Sequence, residues 1–143
     1  MNESEEIPIT DYQALAEFRY QIRRFLRFSE QMARAAGIEP QQHQLLLAVK
    51  GLPEGRRAII GELAERLQLQ HHSVVELVDR LEERGFVQRN RDEGDQRRVL
   101  VRLTPAGEEV LRNLSLYHRT ELGLIGPTLV QALKALLEDS SHS

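Results

Sequence analysis

Apolar residues recur at intervals of three and four in two short, consecutive segments near the middle of the chain. These positions are Ile60, Leu63, Ala64 and Leu67 in the first segment, and Val74, Leu77, Val78 and Leu81 in the second. Because residues three or four apart lie on one face of an α-helix, the pattern predicts two short amphipathic helices joined by a tight link. Gly85 follows the second segment, where a glycine favours a helix end with a positive φ.

The residues that follow have the pattern of a β-hairpin. Phe86–Val87 begins an extended run, and apolar residues recur with an uneven period of two over Val99–Leu103. Between these runs, Asp92–Asp95 contains a glycine and short polar side chains that bond the local backbone, as turns require. The pattern therefore predicts two short strands joined by a polar tip.

Longer helices are predicted on both sides of this central region. One helix over residues 9–36 carries a nearly continuous apolar stripe and ends at Gly37, and a shorter helix runs from Pro40 to Lys50. The apolar stripe of the long helix includes Leu15, Phe18, Ile22, Phe25, Leu26 and Met32, with Ser29 among them.

The C-terminal part of the chain predicts two further helices. Thr104-Pro105 is a strong helix start, because Thr supplies a capping oxygen and Pro fits the first helical position. We expect this helix to continue toward Leu122, to break at Gly123 and Gly126-Pro127, and to be followed by a last helix from Thr128 to about Glu138. The terminal helices have more apolar surface than a small domain buries, so they predict pairing with a second copy; a monomer that packs them internally is the alternative.

Composition and charge narrow the possible functions. The chain has 143 residues, 41% hydrophobic and 29% charged, which suits one globular domain. With no cysteine, disulfides, thiolate zinc sites and thiol redox sensing are excluded. The net charge is −3, but the segment 84–102 holds six Arg against three acidic residues. Without a signal peptide pattern or a long apolar run, we expect a cytoplasmic protein with no membrane partner.

Two helices followed by a basic hairpin place one helix in a DNA major groove and a loop in the adjacent groove. Specific residue groups also carry a resemblance to a known family. They are Leu63-Ala64, the run from Arg80 to Arg89, Asp92 with Asp95-Gln96-Arg97-Arg98, and Leu103-Thr104-Pro105-Ala106-Gly107. In their order and spacing, these groups resemble the MarR family of winged helix-turn-helix transcriptional regulators.

The resemblance implies a fold and an assembly. The fold class is mainly α with a small β-hairpin wing, in a single domain over 1–143. A winged helix-turn-helix module would occupy 40–103, and the helices at 9–36 and 104–138 would form the dimer interface. The function implied is a homodimeric regulator, most simply a repressor, that binds double-stranded DNA at a roughly palindromic operator. A small aromatic or anionic effector between the dimer helices and the winged module would release it.

Candidate DNA contacts follow from the same layout. The start of the second central helix would meet the DNA through Gln70, His71, His72 and Ser73, and Glu76 lies one turn later. In the wing, Arg91, Arg97 and Arg98 are suited to phosphates and to a narrow minor groove. The resemblance implies that Asp95 orients a wing Arg through an ion pair. Relatives often carry a Thr-Arg-like pair where this chain has Val75-Glu76, so Glu76 would accept from a cytosine, pair with an Arg or point away.

Other function classes fit less well. No phosphate-binding loop, HExxH motif or cysteine nucleophile is present, so we expect no catalytic residues, no metal site and no cofactor. His71 and His72 are neighbours on a helix and point about 100° apart, so they cannot share one metal ion. A winged-helix adaptor that binds protein without specific DNA binding is the alternative, since the net charge is acidic and Glu76 is unsuited to phosphates.

Overall fold

The computed structural model describes residues 5–95 and 97–141 and confirms the predicted fold class, which is mainly helical with one hairpin. Its elements are α1 (Ile9–Ala35), α2 (Pro40–Lys50), α3 (Ile60–Leu67), α4 (His71–Glu83), β1 (Val87–Arg91), β2 (Val99–Leu103) and α5 (Pro105–Ser141). Gly37 and Gly85 have φ values of 85° and 80°, which confirms both predicted helix ends. The strands pair antiparallel, from Val87 opposite Leu103 to Arg91 opposite Val99.

The described residues divide into two compact units, each with its own packing. One unit spans Met32–Ser115 and contains α2, α3, α4, the hairpin and the first turns of α5. Its core brings together the apolar faces that the sequence predicts for α3 and α4, and both strands contribute to it. The fully buried side chains of this core include Leu45, Leu46, Leu63, Val74, Val78, Leu81, Val87, Val101 and Leu114.

The other unit consists of residues up to Gln31 together with residues from Leu116 onward. Within it, His118 of α5 packs edge-on against Phe25 and Phe28 of α1, and its Nε2 lies 2.7 Å from Ser29 Oγ. Much of the predicted apolar stripe of α1 is only half-buried here, and Leu15 and Leu26 are exposed.

The break predicted near Gly123 and Gly126-Pro127 is wrong, because α5 is one helix from Pro105 to Ser141 with Pro127 inside it. An interior proline removes one backbone hydrogen bond and crowds the preceding turn. Ile125 and Ala132, on either side of Pro127, are both buried, so packing on the two flanks favours a continuous helix. Tertiary burial outweighs the local breaking tendency at this place.

Helix α5 starts where the Thr-Pro pair predicts, and its start is tied to the residues just before β1. Thr104 Oγ1 accepts the Gly107 N–H at 3.1 Å, which is the predicted N-cap bond, and its hydroxyl donates to the Gly85 carbonyl. The Thr104 N–H donates to the Phe86 carbonyl at 3.1 Å. Gly107 lies so close to Phe86 that a Cβ there would sit 2.1 Å from the Phe86 carbonyl oxygen.

Candidate nucleic-acid interface

The link between α3 and α4 sets the position of α4. Gln68 adopts a left-handed conformation with φ 54°, which is uncommon for a residue other than glycine. The next N–H, of Leu69, donates to the Ala64 carbonyl at 3.0 Å and closes the end of α3. Gln70 then caps α4 in extended backbone, without a side-chain capping bond. The chain therefore passes from α3 to α4 within three residues.

The two faces of α4 differ in chemical character. Its inner face, with Val74, Leu77, Val78 and Leu81, is buried as the sequence predicts. The five predicted contact residues lie in the cap and the first two turns, where Gln70, His71, His72 and Glu76 are exposed and Ser73 is half-buried. Arg80 is also exposed, one turn beyond Glu76. The outer face of α4 is thus a polar surface that is open to a partner.

A single arginine contacts two of the acidic residues of α4. Arg89 Nη2 of β1 lies 2.7 Å from Asp79 Oδ1 and 2.7 Å from Glu82 Oε1. The Arg89 backbone N–H also donates to Glu82 Oε2, at 3.0 Å. The Arg89 guanidinium, which donates to the carboxylate, holds the pKa of Glu82 below its ordinary value, and Glu82 in turn raises the pKa of Arg89. These contacts clamp the first wing strand to the C-terminal half of α4.

The sequence pattern did not identify this clamp. Arg89 is one of the six arginines that give the segment 84–102 its positive charge, yet its own charge is used inside the fold. The alternation of inward and outward side chains along β1 could have indicated it, because Arg89 is two residues from buried Val87 and pairs with buried Val101. That register places Arg89 on the side of the hairpin that faces the core, where α4 lies.

The turn of the wing is organised by the buried carboxylate of Asp92. Asp92 Oδ1 accepts the Gly94 N–H at 2.9 Å, and the Asp92 N–H donates to the Arg98 carbonyl at 3.0 Å. Arg57, in the loop before α3, donates to the other carboxylate oxygen. The Gly94 N–H first, and then Arg57, keep the pKa of Asp92 below its ordinary value. The predicted turn chemistry is confirmed, whereas Arg57 was not predicted.

The predicted wing arginines lie at and beside the tip. The Arg97 side chain is 93% exposed, and its Nε lies 3.4 Å from Asp95 Oδ1. Arg98 Nε lies 3.6 Å from Asp95 Oδ2, and the Arg97 backbone N–H also donates to Asp95 Oδ1, at 3.1 Å. Arg91, the last residue of β1, is exposed. The structure thus brings Asp95 together with two of the three predicted arginines and leaves their outward surfaces accessible.

The described residues offer neither a metal site nor a membrane-spanning element. Over 5–95 and 97–141, no group of three or more His, Asp or Glu side chains is arranged to hold a metal ion. Across the same stretches, no helix combines the length and apolar character that crossing a membrane requires.

Comparison with known proteins identifies the family. Residues 36–98 match the model of the MarR family, which covers α2 to the wing. The uncharacterized HTH-type transcriptional regulator YcgE of Bacillus subtilis is 34% identical over 101 residues, covering 71% of this chain and 64% of that protein. The putative regulatory protein for the hcr operon of Thauera aromatica is 27% identical over 67% of this chain. The matched region spans about half to two thirds of the length of these curated relatives.

Solved structures share the fold over most of their length. AbsC, a MarR family transcriptional regulator from Streptomyces coelicolor, superimposes with a TM-score of 0.71 at 21% identity, covering 97% of each chain. A mutant of S. aureus MepR bound to an oligodeoxyribonucleotide gives 0.63 at 22% identity, covering 96% of this chain and 100% of that chain. PcaV from Streptomyces coelicolor, in complex with its natural ligand, gives 0.58 at 25% identity, covering 85% and 89%. From its motifs, its fold and these matches, the chain belongs to the MarR family.

Proposed function

We propose that this chain is a sequence-specific DNA-binding transcriptional regulator. The observation that carries the proposal is the pairing, within one compact unit, of an outward polar helix with an arginine-tipped wing. The inner face of α4 is buried while its outer face is open, and the Arg97 side chain at the wing tip is 93% exposed. A helix and a hairpin of this kind fit a major groove and the minor groove beside it.

Seven of the eight predicted contact residues are proposed to meet the DNA backbone or the minor groove. Gln70, His71, His72 and Ser73 lie at the start of α4, where backbone N–H groups without a side-chain cap favour a phosphate. In the wing, Arg97 and Arg98 enter the minor groove and Arg91 contacts the backbone of the DNA. We propose that Asp95 orients the two tip arginines, since its carboxylate contacts both of them. In this role Asp95 itself does not contact the DNA.

We further propose that the regulator is a homodimer formed through α1 and α5. All but one of the exposed large hydrophobic side chains in the described residues lie in the unit built from these two helices. In α1 they include Ile9, Tyr12, Leu15, Tyr20 and Leu26, and in α5 they include Leu116, Tyr117, Leu122, Leu124, Val130, Leu133 and Leu137. By contrast, the buried apolar residues of this unit, among those that the structure describes, are only Ala14, Ile125 and Ala132. An exposed apolar surface of this extent is suited to a second copy of the chain.

A twofold dimer implies the form of the target and its control. Two copies of α4 about one DNA turn apart, roughly 34 Å, would read a roughly palindromic operator. Binding over a promoter would repress transcription. We propose that a small aromatic or anionic ligand releases the DNA, since the similar protein PcaV binds a natural ligand. Such a ligand acts only if it favours one spacing of the two reading helices over the other.

Fluorescence anisotropy tests the proposal directly. Labelled fragments of the intergenic DNA upstream of the gene, and random DNA of equal length, are titrated with the protein across a salt series. We expect nanomolar affinity for one fragment, and an affinity for random DNA that is weaker by roughly a thousandfold or more. The affinity should fall steeply as the salt concentration increases.

The wing provides a variant with a matched control. Arg97→Ala should weaken binding about tenfold and reduce the salt slope by about one. Arg112→Ala removes another exposed arginine, from α5 and away from the proposed contacts, and should leave affinity unchanged. If binding remains weak and insensitive to sequence, and selection from random DNA also finds no site, the adaptor function replaces the regulator.

A further inference from the structure

The outer face of α4 carries an acidic residue where a DNA-reading helix would meet the bases. Four carboxylates lie on α4, at Glu76, Asp79, Glu82 and Glu83. Arg89 contacts two of them, Asp79 and Glu82, and offsets one of their two negative charges within the fold. This leaves Glu76 and Glu83 as the exposed acidic residues of α4 for which the described residues provide no ion pair.

The position of Glu76 distinguishes it from Glu83. His72, Glu76 and Arg80 follow one another at intervals of four and form a stripe along the exposed face. Glu76 lies in the second turn, within the N-terminal half that reaches base edges in this type of complex. Glu83 lies on the same side but about 10 Å further along the helix axis, at its C-terminal end. The spacing of Glu76 and Arg80 permits an ion pair, but none forms between them in the described chain.

A carboxylate at this place can accept only from particular bases. It repels the phosphates and the acceptor atoms N7 and O6 of guanine and O4 of thymine, so it needs a donor in the major groove. Adenine offers its N6 amino group beside the acceptor N7, which repels the second carboxylate oxygen. Cytosine presents the N4 amino donor alone, and this is the base with which Glu and Asp pair.

We propose that Glu76 determines sequence specificity by accepting a hydrogen bond from the N4 amino group of a cytosine in each operator half-site. The inference rests on the proposed DNA-binding function and specifies the sequence that the function requires. It also assigns a role to Arg89, which offsets one of the two negative charges of Asp79 and Glu82 and so weakens their repulsion of the DNA, while Glu76 selects a base.

Selection from a random-sequence DNA library tests the inference, using the full-length wild type, Glu76→Gln and the control Glu83→Gln. We expect the wild-type site to contain one strongly preferred cytosine in each half-site. Glu76→Gln should shift that position to adenine, because a glutamine amide pairs with adenine N6 and N7. Glu83→Gln makes the same change of charge and should retain the cytosine.

Anisotropy on the selected site then measures the size of the effect. Replacing the cytosine by thymine, in both half-sites, should weaken wild-type binding about 10- to 100-fold. The same replacement should change binding of Glu76→Ala by no more than about threefold. If Glu76→Gln and Glu76→Ala keep the wild-type preference, the inference is overturned while the DNA-binding function stands. If the wild type itself selects no sequence, both fail.

Discussion

Gly107 offers a sharp test of how α5 is joined to the wing. In a helix, Gly→Ala ordinarily stabilises by about 0.5–1 kcal/mol, because alanine loses less conformational freedom on folding. At Gly107 the added Cβ would lie 2.1 Å from the Phe86 carbonyl oxygen and 3.0 Å from its carbon. These are backbone atoms of the residue just before β1, so no side-chain rotation relieves the overlap. We therefore predict that Gly107→Ala destabilises the protein.

The size of the expected destabilisation follows from the contacts that the added Cβ would disrupt. The overlap requires the start of α5 and Phe86 to separate by about 1 Å, a strain that typically costs about 1–3 kcal/mol. That movement stretches the 3.1 Å bond from the Thr104 N–H to the Phe86 carbonyl beyond hydrogen-bonding distance. The lost bond contributes about 1 kcal/mol. Set against the helix-propensity gain, the expected net destabilisation is about 1–3.5 kcal/mol.

Urea denaturation followed by circular dichroism, at one protein concentration for all variants, measures this difference. The matched control is Gly61→Ala, in the first turn of α3, where an added Cβ meets no atom within 4 Å. We expect this control to be as stable as the wild type or up to about 1 kcal/mol more stable. A Gly107→Ala protein that matches the control in stability would refute the packing argument.

Three further predictions follow from the same contacts. Arg89→Gln leaves Asp79 and Glu82 uncompensated, so DNA affinity should fall about fivefold, measured by anisotropy at constant salt; unchanged affinity contradicts the role of the clamp. The pKa of Asp92 is lowered from its ordinary 3.8, so its carboxylate stabilises the fold at neutral pH and this is lost as pH falls through the folded-state pKa. Asp92→Asn should therefore be less stable in urea at pH 7, with the difference from wild type shrinking below about pH 4; a constant difference would point to another cause. Pro127→Ala restores a backbone N–H inside α5 and should raise the thermal midpoint, with a gain of up to about 3 kcal/mol; an unchanged or lower midpoint would contradict this reasoning.

The sequence by itself determined the local elements of the winged unit and the family. The bounds of α2, the apolar faces of α3 and α4, the helix end at Gly85 and the capping role of Thr104 all followed from periodicity and from residues that bond within a few positions. These features depend on interactions within one or two turns of the chain, which a linear pattern contains. The same patterns indicated which five residues lie in the cap and first turns of α4, and the structure exposes four of them.

Tertiary structure alone decided which residues meet across the fold. Arg57 and Asp92 are 35 positions apart, and no local pattern indicates that the loop before α3 bonds the wing turn. Only the fold brings Gly107 against Phe86, where a side chain has no room, and Pro127 predicts a break that the burial of Ile125 and Ala132 outweighs. In the sequence, Arg89 is one of the arginines that make the wing basic, and only the strand register places it beside Asp79 and Glu82. A sequence pattern determines which face of an element is apolar, but the neighbours of that face depend on how distant elements pack, and there the energies of long-range contacts exceed local propensity.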